Sequence, residues 1–375
     1  ESIVAAAGGT PAVAGTIENR LGGKRLEKAI NTTPISLSLT RLLARFREGK
    51  ATHALLEVSS HALTLKRVEA VDFDAAIFLN LTRDHLDFHK TVDAYFDAKA
   101  RLFDLLARAD NKKKPKVAAL NFDDQRAHLL VKMAIGCDVV RFGQTDKAAD
   151  LRGKIISADL NGTKFEINWR GKKFESSLRL PGTHNVENAL AAAAAMLGLG
   201  TTTKHIADGL ASLRAVPGRL ESIDEGQDFH VFVDYAHTDS ALETVLRLLS
   251  GLPHKRLITV VGCGGDRDQT KRGPMGIAAC RGGDSAIFTS DNPRSEKPAE
   301  ILADIEAGVR AAGLQNYTIV EDRNSAITAA LTQAGPGDVV LIAGKGHEDY
   351  QILGDRTVPF DDRDAARAAL KRLKR

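Results

Sequence analysis

The sequence predicts an α/β protein of two domains, in which a parallel sheet with an antiparallel extension is followed by a doubly wound, Rossmann-like sheet. Three observations carry this. Apolar runs of strand length alternate with helical patterns in the first part of the chain. Residues 154–180 then change to hairpin character, with Asn161-Gly162 and Arg170-Gly171 as turn dipeptides. The remainder returns to a regular strand-then-helix alternation, the pattern of a parallel sheet covered on both faces.

In the first part, residues 53–58, 73–80 and 117–120 read as strands. From Asp93 onward Tyr95, Ala98, Leu102, Leu105 and Leu106 recur at helical spacing, with Phe96, Lys99 and Phe103 as a neighbouring stripe. After the hairpins come an alanine-rich helix over 185–199 and a second over 204–213. Val216-Pro217-Gly218-Arg219 punctuates the chain, so the domains are expected at 1–215 and 216–375. Beyond it, strands are predicted at 229–233, 257–261, 286–289, 317–320 and 339–343, each followed by a helical pattern.

Composition sets the outer limits. At 375 residues and 43% hydrophobic content the chain can build two or three ordinary cores. No run of about 18 apolar residues occurs, so no membrane span is expected. Lys and Arg number 52 against 48 Asp and Glu, an excess too diffuse to indicate nucleic acid, while acidic small molecules suit it. Cys137, Cys263 and Cys280 are widely spaced without a C-x-x-C pair, which favours a reducing compartment and no structural zinc. The chain opens on Glu1 without a signal-like segment, and an N-terminal part is expected to lie outside it.

Chemistry concentrates after strands. Residues 80–103, NLTRDHLDFHKTVDAYFDAKARLF, gather histidines, aspartates and Lys99 at a strand end and helix start, a combination suited to phosphate and divalent-metal chemistry. Lys99 among apolar neighbours is either a snorkelling side chain or a desolvated amine open to modification. His85 is either a hydrogen-bonded strand-end histidine or a metal or phosphate contact. In the second domain Asp234-Tyr235-Ala236-His237, Gly262 to Asp268 (GCGGDRD), Asp291-Asn292-Pro293-Arg294 and Gly344 to Glu348 (GKGHE) all follow strands. In a parallel sheet these share the ligand-binding edge. There Arg267 and Arg294 would hold carboxylates, and Asp291 and Glu348 an ammonium. Each group alone has a plainer reading as a turn or a solvated loop.

These residues resemble the Mur ligases, ATP-dependent amide-forming enzymes of peptidoglycan synthesis. The resemblance runs through NTTP at Asn31, EVSSHAL at Glu57, NLTRDHLDFH at Asn80, YFDAKARLF at Tyr95 and LPGTHNVENALAA at Leu180. It continues through VPGRLE at Val216, DYAHT at Asp234, GCGGDRD at Gly262, DNPR at Asp291 and AGKGHEDYQ at Ala343. DNPR resembles the form selecting meso-2,6-diaminopimelate for addition to UDP-N-acetylmuramoyl-L-alanyl-D-glutamate. The first domain is thereby expected to bind ATP and the second the incoming amino acid.

By motif, the resemblance places Thr32, Thr33, Ser59 and Arg67 at the D-glutamyl end of the nucleotide substrate. It makes Glu57, His85 and a carbamylated Lys99 the catalytic group and the Mg2+ ligands. Asn188, Arg219, Asp234 and His237 fall at ATP, and Arg267, Asp291, Asn292, Pro293, Arg294, Gly344 and Glu348 at diaminopimelate. It implies a cytoplasmic enzyme without nucleic-acid partners, working through an acyl phosphate that the amine then attacks. Two departures stand out: no G-x-x-x-x-G-K-[ST] occurs, and Asp239 stands where the family usually has proline. ESIVAAAGGTPAVAGTI reads like the helix just after the family's phosphate loop and the next strand, so these 375 residues alone are expected to lack turnover. The alternatives are a ligase adding lysine, one extending folate with glutamate, and a non-catalytic fragment that still binds diaminopimelate.

Overall fold

The computed structural model describes residues 1–82, 85–108 and 116–373; Arg83 and Asp84 of the NLTRDHLDFH motif lie outside the described residues. The chain divides into two units, residues 1–158 with 162–214, and 159–161 with 215–375.

The first unit holds two sheets. A four-stranded one runs in the order Lys24–Lys28, Glu18–Leu21, Pro11–Ala14, His53–Leu56, with its last pair parallel and the others antiparallel. A six-stranded one runs Lys172–Leu178, Gly162–Trp169, Leu151–Asp159, Asp138–Gly143, Val117–Asn121, Ala75–Phe78, parallel from Leu151–Asp159 to Ala75–Phe78. The strand predicted at 53–58 therefore pairs with Pro11–Ala14 and not with Ala75–Phe78. The antiparallel extension is present where the turn dipeptides put it: Arg170 and Gly171, both at positive φ, join Gly162–Trp169 to Lys172–Leu178.

Local chemistry sets the helix limits. Val92–Arg108 buries Tyr95, Phe96, Ala98, Ala100, Phe103, Leu105 and Leu106, so Leu102 is only partly covered while Ala100 joins the core. The alanine-rich helix is Thr183–Gly198. The next, Thr203–Ser212, starts where the Thr202 hydroxyl accepts the His205 N–H, one of the orphan donors of a helix start.

The second unit is a six-stranded sheet in the order Glu221–Ser222, His230–Asp234, Val339–Ala343, Leu257–Val261, Ser285–Phe288, Tyr317–Ile319, parallel except for the two-residue first strand. Its central strands are predominantly apolar, with Thr259 buried among them, because both faces are covered. Phe232, Val261, Phe288 and Leu341 meet Leu242, Leu246, Met275 and Ile305 on one face. Val231, Val260, Ile287 and Ile342 meet Ile327, Leu331, Ala366 and Leu370 on the other. Val339–Ala343, last of the parallel strands in sequence, lies between His230–Asp234 and Leu257–Val261. The loop after it therefore emerges between the Asp234 and Gly262 loops. A hairpin the sequence reading missed, Tyr350–Leu353 with Arg356–Pro359, follows.

Candidate functional site

In the first unit the expected substrate residues gather at the carboxyl end of His53–Leu56. Thr33 is buried; its hydroxyl donates to the Glu57 carbonyl at 2.8 Å and accepts the Ser59 N–H at 3.0 Å. Arg67 Nη1 donates to the Thr33 carbonyl at 2.9 Å, and Ser59 Oγ accepts from Ala62 N at 3.2 Å as a helix cap. Thr33, Ser59 and Arg67 thus build the loop itself. Thr16, which the sequence reading passed over, lies between Thr32 (3.1 Å) and Glu57, donating to Glu57 Oε2 at 2.6 Å.

His85 and Lys99 flank one ring. His85 sits at φ +54°, a left-handed conformation uncommon outside glycine, where the chain turns into Leu86–His89. Its ring centroid is 5.7 Å from that of Tyr95, and Lys99 Nζ lies 5.0 Å from the same centroid. Lys99 is half-buried. His89, also missed as a site residue, stacks on Tyr95 and places Nε2 2.8 Å from Ser60 Oγ. Burial pushes the His89 imidazole below its ordinary value, with His61 and His85 adding to the effect, so it is neutral at pH 7. Among the described residues no group of three or more His, Cys, Asp or Glu is arranged to hold a metal. The expected set has only two such residues, Glu57 and His85, its third member being Lys99.

Asn188 is exposed on Thr183–Gly198. In the second unit Asp234 is buried and spends its carboxylate on the backbone, accepting from Leu220 N (2.7 Å) and Ala236 N (2.8 Å). That role shapes the turn that carries Arg219 and His237. Arg219 stacks its guanidinium over Tyr235, 5.6 Å from the ring centroid, and His237 Nδ1 lies 2.9 Å from the Tyr235 carbonyl.

The third and fourth loops interlock. Gly265 N donates to the Asn292 carbonyl at 2.9 Å, and Arg294 Nη1 donates to the Gly265 carbonyl at 2.7 Å. Arg294, at φ +53°, is further pinned through its N–H to the Ile352 carbonyl in the missed hairpin. Among the described residues its Nε and Nη2 have no hydrogen-bond partner. Arg267 is exposed, and both arginines border Gly264. Buried Arg272, unassigned from sequence, braces the pair of loops by donating to Glu296 at 2.7 and 2.8 Å and to Asp304 at 2.7 Å, while Glu296 accepts the Asp266 N–H. A Cβ on Gly265 would run into the Pro293 carbonyl oxygen. Gly265→Ala is therefore expected to lower stability by about 1–3 kcal/mol in urea unfolding, the usual cost of overpacking.

Asp291 and Glu348, expected to hold an ammonium, already face one. Lys345 is fully buried, and its Nζ donates to Glu348 Oε2 (3.1 Å), Asn292 Oδ1 (3.2 Å) and Asp291 Oδ1 (3.4 Å). The sequence reading quoted GKGHE without giving this lysine a role. Gly344 donates its N–H to the Asp234 carbonyl at 3.1 Å. Beneath the loops Arg323 and Asp362, both wholly buried, form a two-pronged pair at 2.7 Å. Arg323 also donates to the carbonyls of Ser290 (3.4 Å) and Ala343 (3.0 Å), each just ahead of a site loop. All three cysteines are free thiols, and burial pushes Cys263 up to about 12, far from a reactive thiolate.

Known proteins share this fold. Residues 1–196 match the Mur ligase middle domain and 218–346 the Mur ligase, glutamate ligase domain. A UDP-N-acetylmuramoyl-L-alanyl-D-glutamate–2,6-diaminopimelate ligase of Solibacter usitatus is 45% identical over 99% of the chain and 74% of its own length. Its counterpart in Geobacillus thermodenitrificans is 44% identical over 99% of the chain and 75% of its length. A solved structure of a ligase of that name superposes with a TM-score of 0.74 at 35% identity, covering all of the chain and 75% of its own. The chain spans about three quarters of the length of these proteins. With both domain types matched in order, and the interlocked loops falling in the second, the chain belongs to the Mur ligase family.

Proposed function

We propose that this chain is part of a cytoplasmic ATP-dependent ligase that joins meso-2,6-diaminopimelate to UDP-N-acetylmuramoyl-L-alanyl-D-glutamate in peptidoglycan synthesis. Residues 1–215 serve ATP and the nucleotide substrate, and residues 216–375 the incoming amino acid. One observation carries the choice of amino acid. Arg294 is fixed by its Nη1 to the Gly265 carbonyl, its Nε–Nη2 edge has no acceptor among the described residues, and it shares a sheet edge with the Asp291, Asn292 and Glu348 cluster. A planar pair of N–H donors suits a carboxylate, and diaminopimelate brings one at the end where lysine has none. No helix among the described residues is long and apolar enough to cross a membrane.

In this reading the D-glutamyl carboxylate takes the terminal phosphoryl group of ATP. The free amine of diaminopimelate then forms the new C–N bond as phosphate leaves. Arg219, His237 and Asn188 are the residues assigned to ATP. Arg267, Arg294, Asp291, Asn292, Pro293, Gly344 and Glu348 hold the amino acid. Glu57, His85 and a carbamate on Lys99 would hold Mg2+, which would neutralise phosphate charge there. Tyr95 holds Lys99 and His85 on one ring.

Two measurements test this. Calorimetry of the chain with meso-diaminopimelate should give saturable binding, and none would remove the amino-acid assignment. Incubation with 13C-bicarbonate should give a carbamate carbonyl resonance that Lys99→Arg abolishes; no such signal would return Lys99 to a lysine lying over apolar surface.

A further inference from the structure

Lys345 sits in a place where a lysine is costly. Isolated burial of an ammonium is strongly unfavourable, so every N–H must find an acceptor. Here all three do, on Asp291, Asn292 and Glu348. The backbone is shaped to put it there. Gly344 at φ +113° and Gly346 at φ +52° bracket the lysine, turning the loop inward, and the Tyr350 ring lies 5.5 Å from its Nζ.

The bonding is one-sided. Lys345 engages Oδ1 of Asp291 and Oε2 of Glu348, and Asn292 Nδ2 also donates to Glu348 Oε2 at 3.0 Å. Oδ2 of Asp291 and Oε1 of Glu348 have no hydrogen-bond partner among the described residues. Glu348 keeps 19% of its side chain exposed, against 0% for Lys345. Two carboxylates and one ammonium leave a single negative charge on the cluster.

We propose that Lys345 is a positioning and specificity-determining residue, a built-in cation that aligns Asp291 and Glu348 and trims their joint charge to suit a single ammonium of the incoming amino acid. The inference rests on the diaminopimelate reading for its ligand, and goes beyond it in assigning the lysine. Without this internal counter-charge the two carboxylates repel, and either swing apart or take up a proton, so the ligand ammonium loses its aligned acceptors. Asn292 is oriented by the same contact: its carbonyl oxygen accepts from both Lys345 and the Ile352 N–H.

The test is chemical rescue of Lys345→Ala, followed by melting temperature and by calorimetry with meso-diaminopimelate. The variant should bind roughly 100-fold more weakly than the parent chain, the scale for removing one member of a buried charge pair. Propylammonium chloride should restore most of the affinity and raise the melting temperature, and 1-propanol should do neither. Binding unchanged in Lys345→Ala, or equal rescue by 1-propanol, would overturn the proposal, since filling space would then suffice. Should Lys345→Ala not fold, Lys345→Met, which keeps the bulk of the stem without its charge, should fold and bind diaminopimelate roughly 100-fold more weakly than the parent chain. A folded Lys345→Met that binds like the parent would overturn the proposal. If the parent chain itself ignores diaminopimelate, the ligand reading fails, while the selective stabilisation of Lys345→Ala by propylammonium still decides the role of the lysine.

Discussion

Arg294→Ala is expected to weaken meso-diaminopimelate binding by about 2–5 kcal/mol, roughly 1.5 to 3.5 orders of magnitude, while leaving ATP binding within about twofold. The large effect follows from the fixed geometry. Nη1 is committed to the Gly265 carbonyl, so the guanidinium cannot rotate away from the carboxylate that its remaining N–H groups serve. Truncation leaves that carboxylate desolvated without its partner. The same logic makes lysine a poor ligand of the unaltered chain, because it leaves the arginine edge unpaired, and a site built around a polar partner rejects the analogue lacking it by up to about 10⁴–10⁵-fold. Titration of both amino acids into both proteins checks this. A lysine affinity equal to that of diaminopimelate, or a preference untouched by Arg294→Ala, would remove DNPR as the selecting motif and leave family membership intact.

Asp362→Ala is the second large effect, and it falls on stability. The Arg323–Asp362 pair has no solvent to fall back on, so deleting the carboxylate strands a buried guanidinium at a cost of about 3–5 kcal/mol. Burial works against the charge on Arg323 and the Asp362 carboxylate outweighs it, holding the guanidinium above its ordinary value and charged at every accessible pH. Denaturant unfolding should show the loss in the second unit. Combining Asp362→Ala with Arg323→Met should cost less than Asp362→Ala alone, since no unpaired charge remains. Additive losses would mean that the two side chains act independently. Because Arg323 also anchors Ser290 and Ala343, the single variant should weaken diaminopimelate binding as well.

The sheet of the second unit was legible because its strands are covered on both faces and therefore read as predominantly apolar runs, as in Leu257–Val261 and Val339–Ala343. Lys24–Lys28 carried no such signal. Its residues are largely exposed on an edge strand, and only its pairing with Glu18–Leu21 makes it a strand. The site divides the same way. Residues after strands were found from the rule that parallel sheets bind ligands there, as with Asp291 and Glu348. Lys345, Arg272 and the Arg323–Asp362 pair were not, because burying a charged side chain depends on acceptors far along the chain. Lys345 meets partners 53 and 54 residues away, and Arg323 one 39 residues away. A lysine between two glycines was the available clue, since two flexible residues around a long cation permit an inward turn.

The place of Val339–Ala343 between His230–Asp234 and Leu257–Val261 also dictates an order of assembly on the ribosome. Until that segment leaves the exit tunnel, the two flanking strands have no partner on their facing sides, and more than a hundred residues of nascent chain must wait with unsatisfied backbone edges. Closing such distant pairings is slow and leaves sticky intermediates open to aggregation. Translation stalled before residue 339 therefore yields a species in want of a chaperone, and the cluster around Lys345 is among the last features of this unit to form.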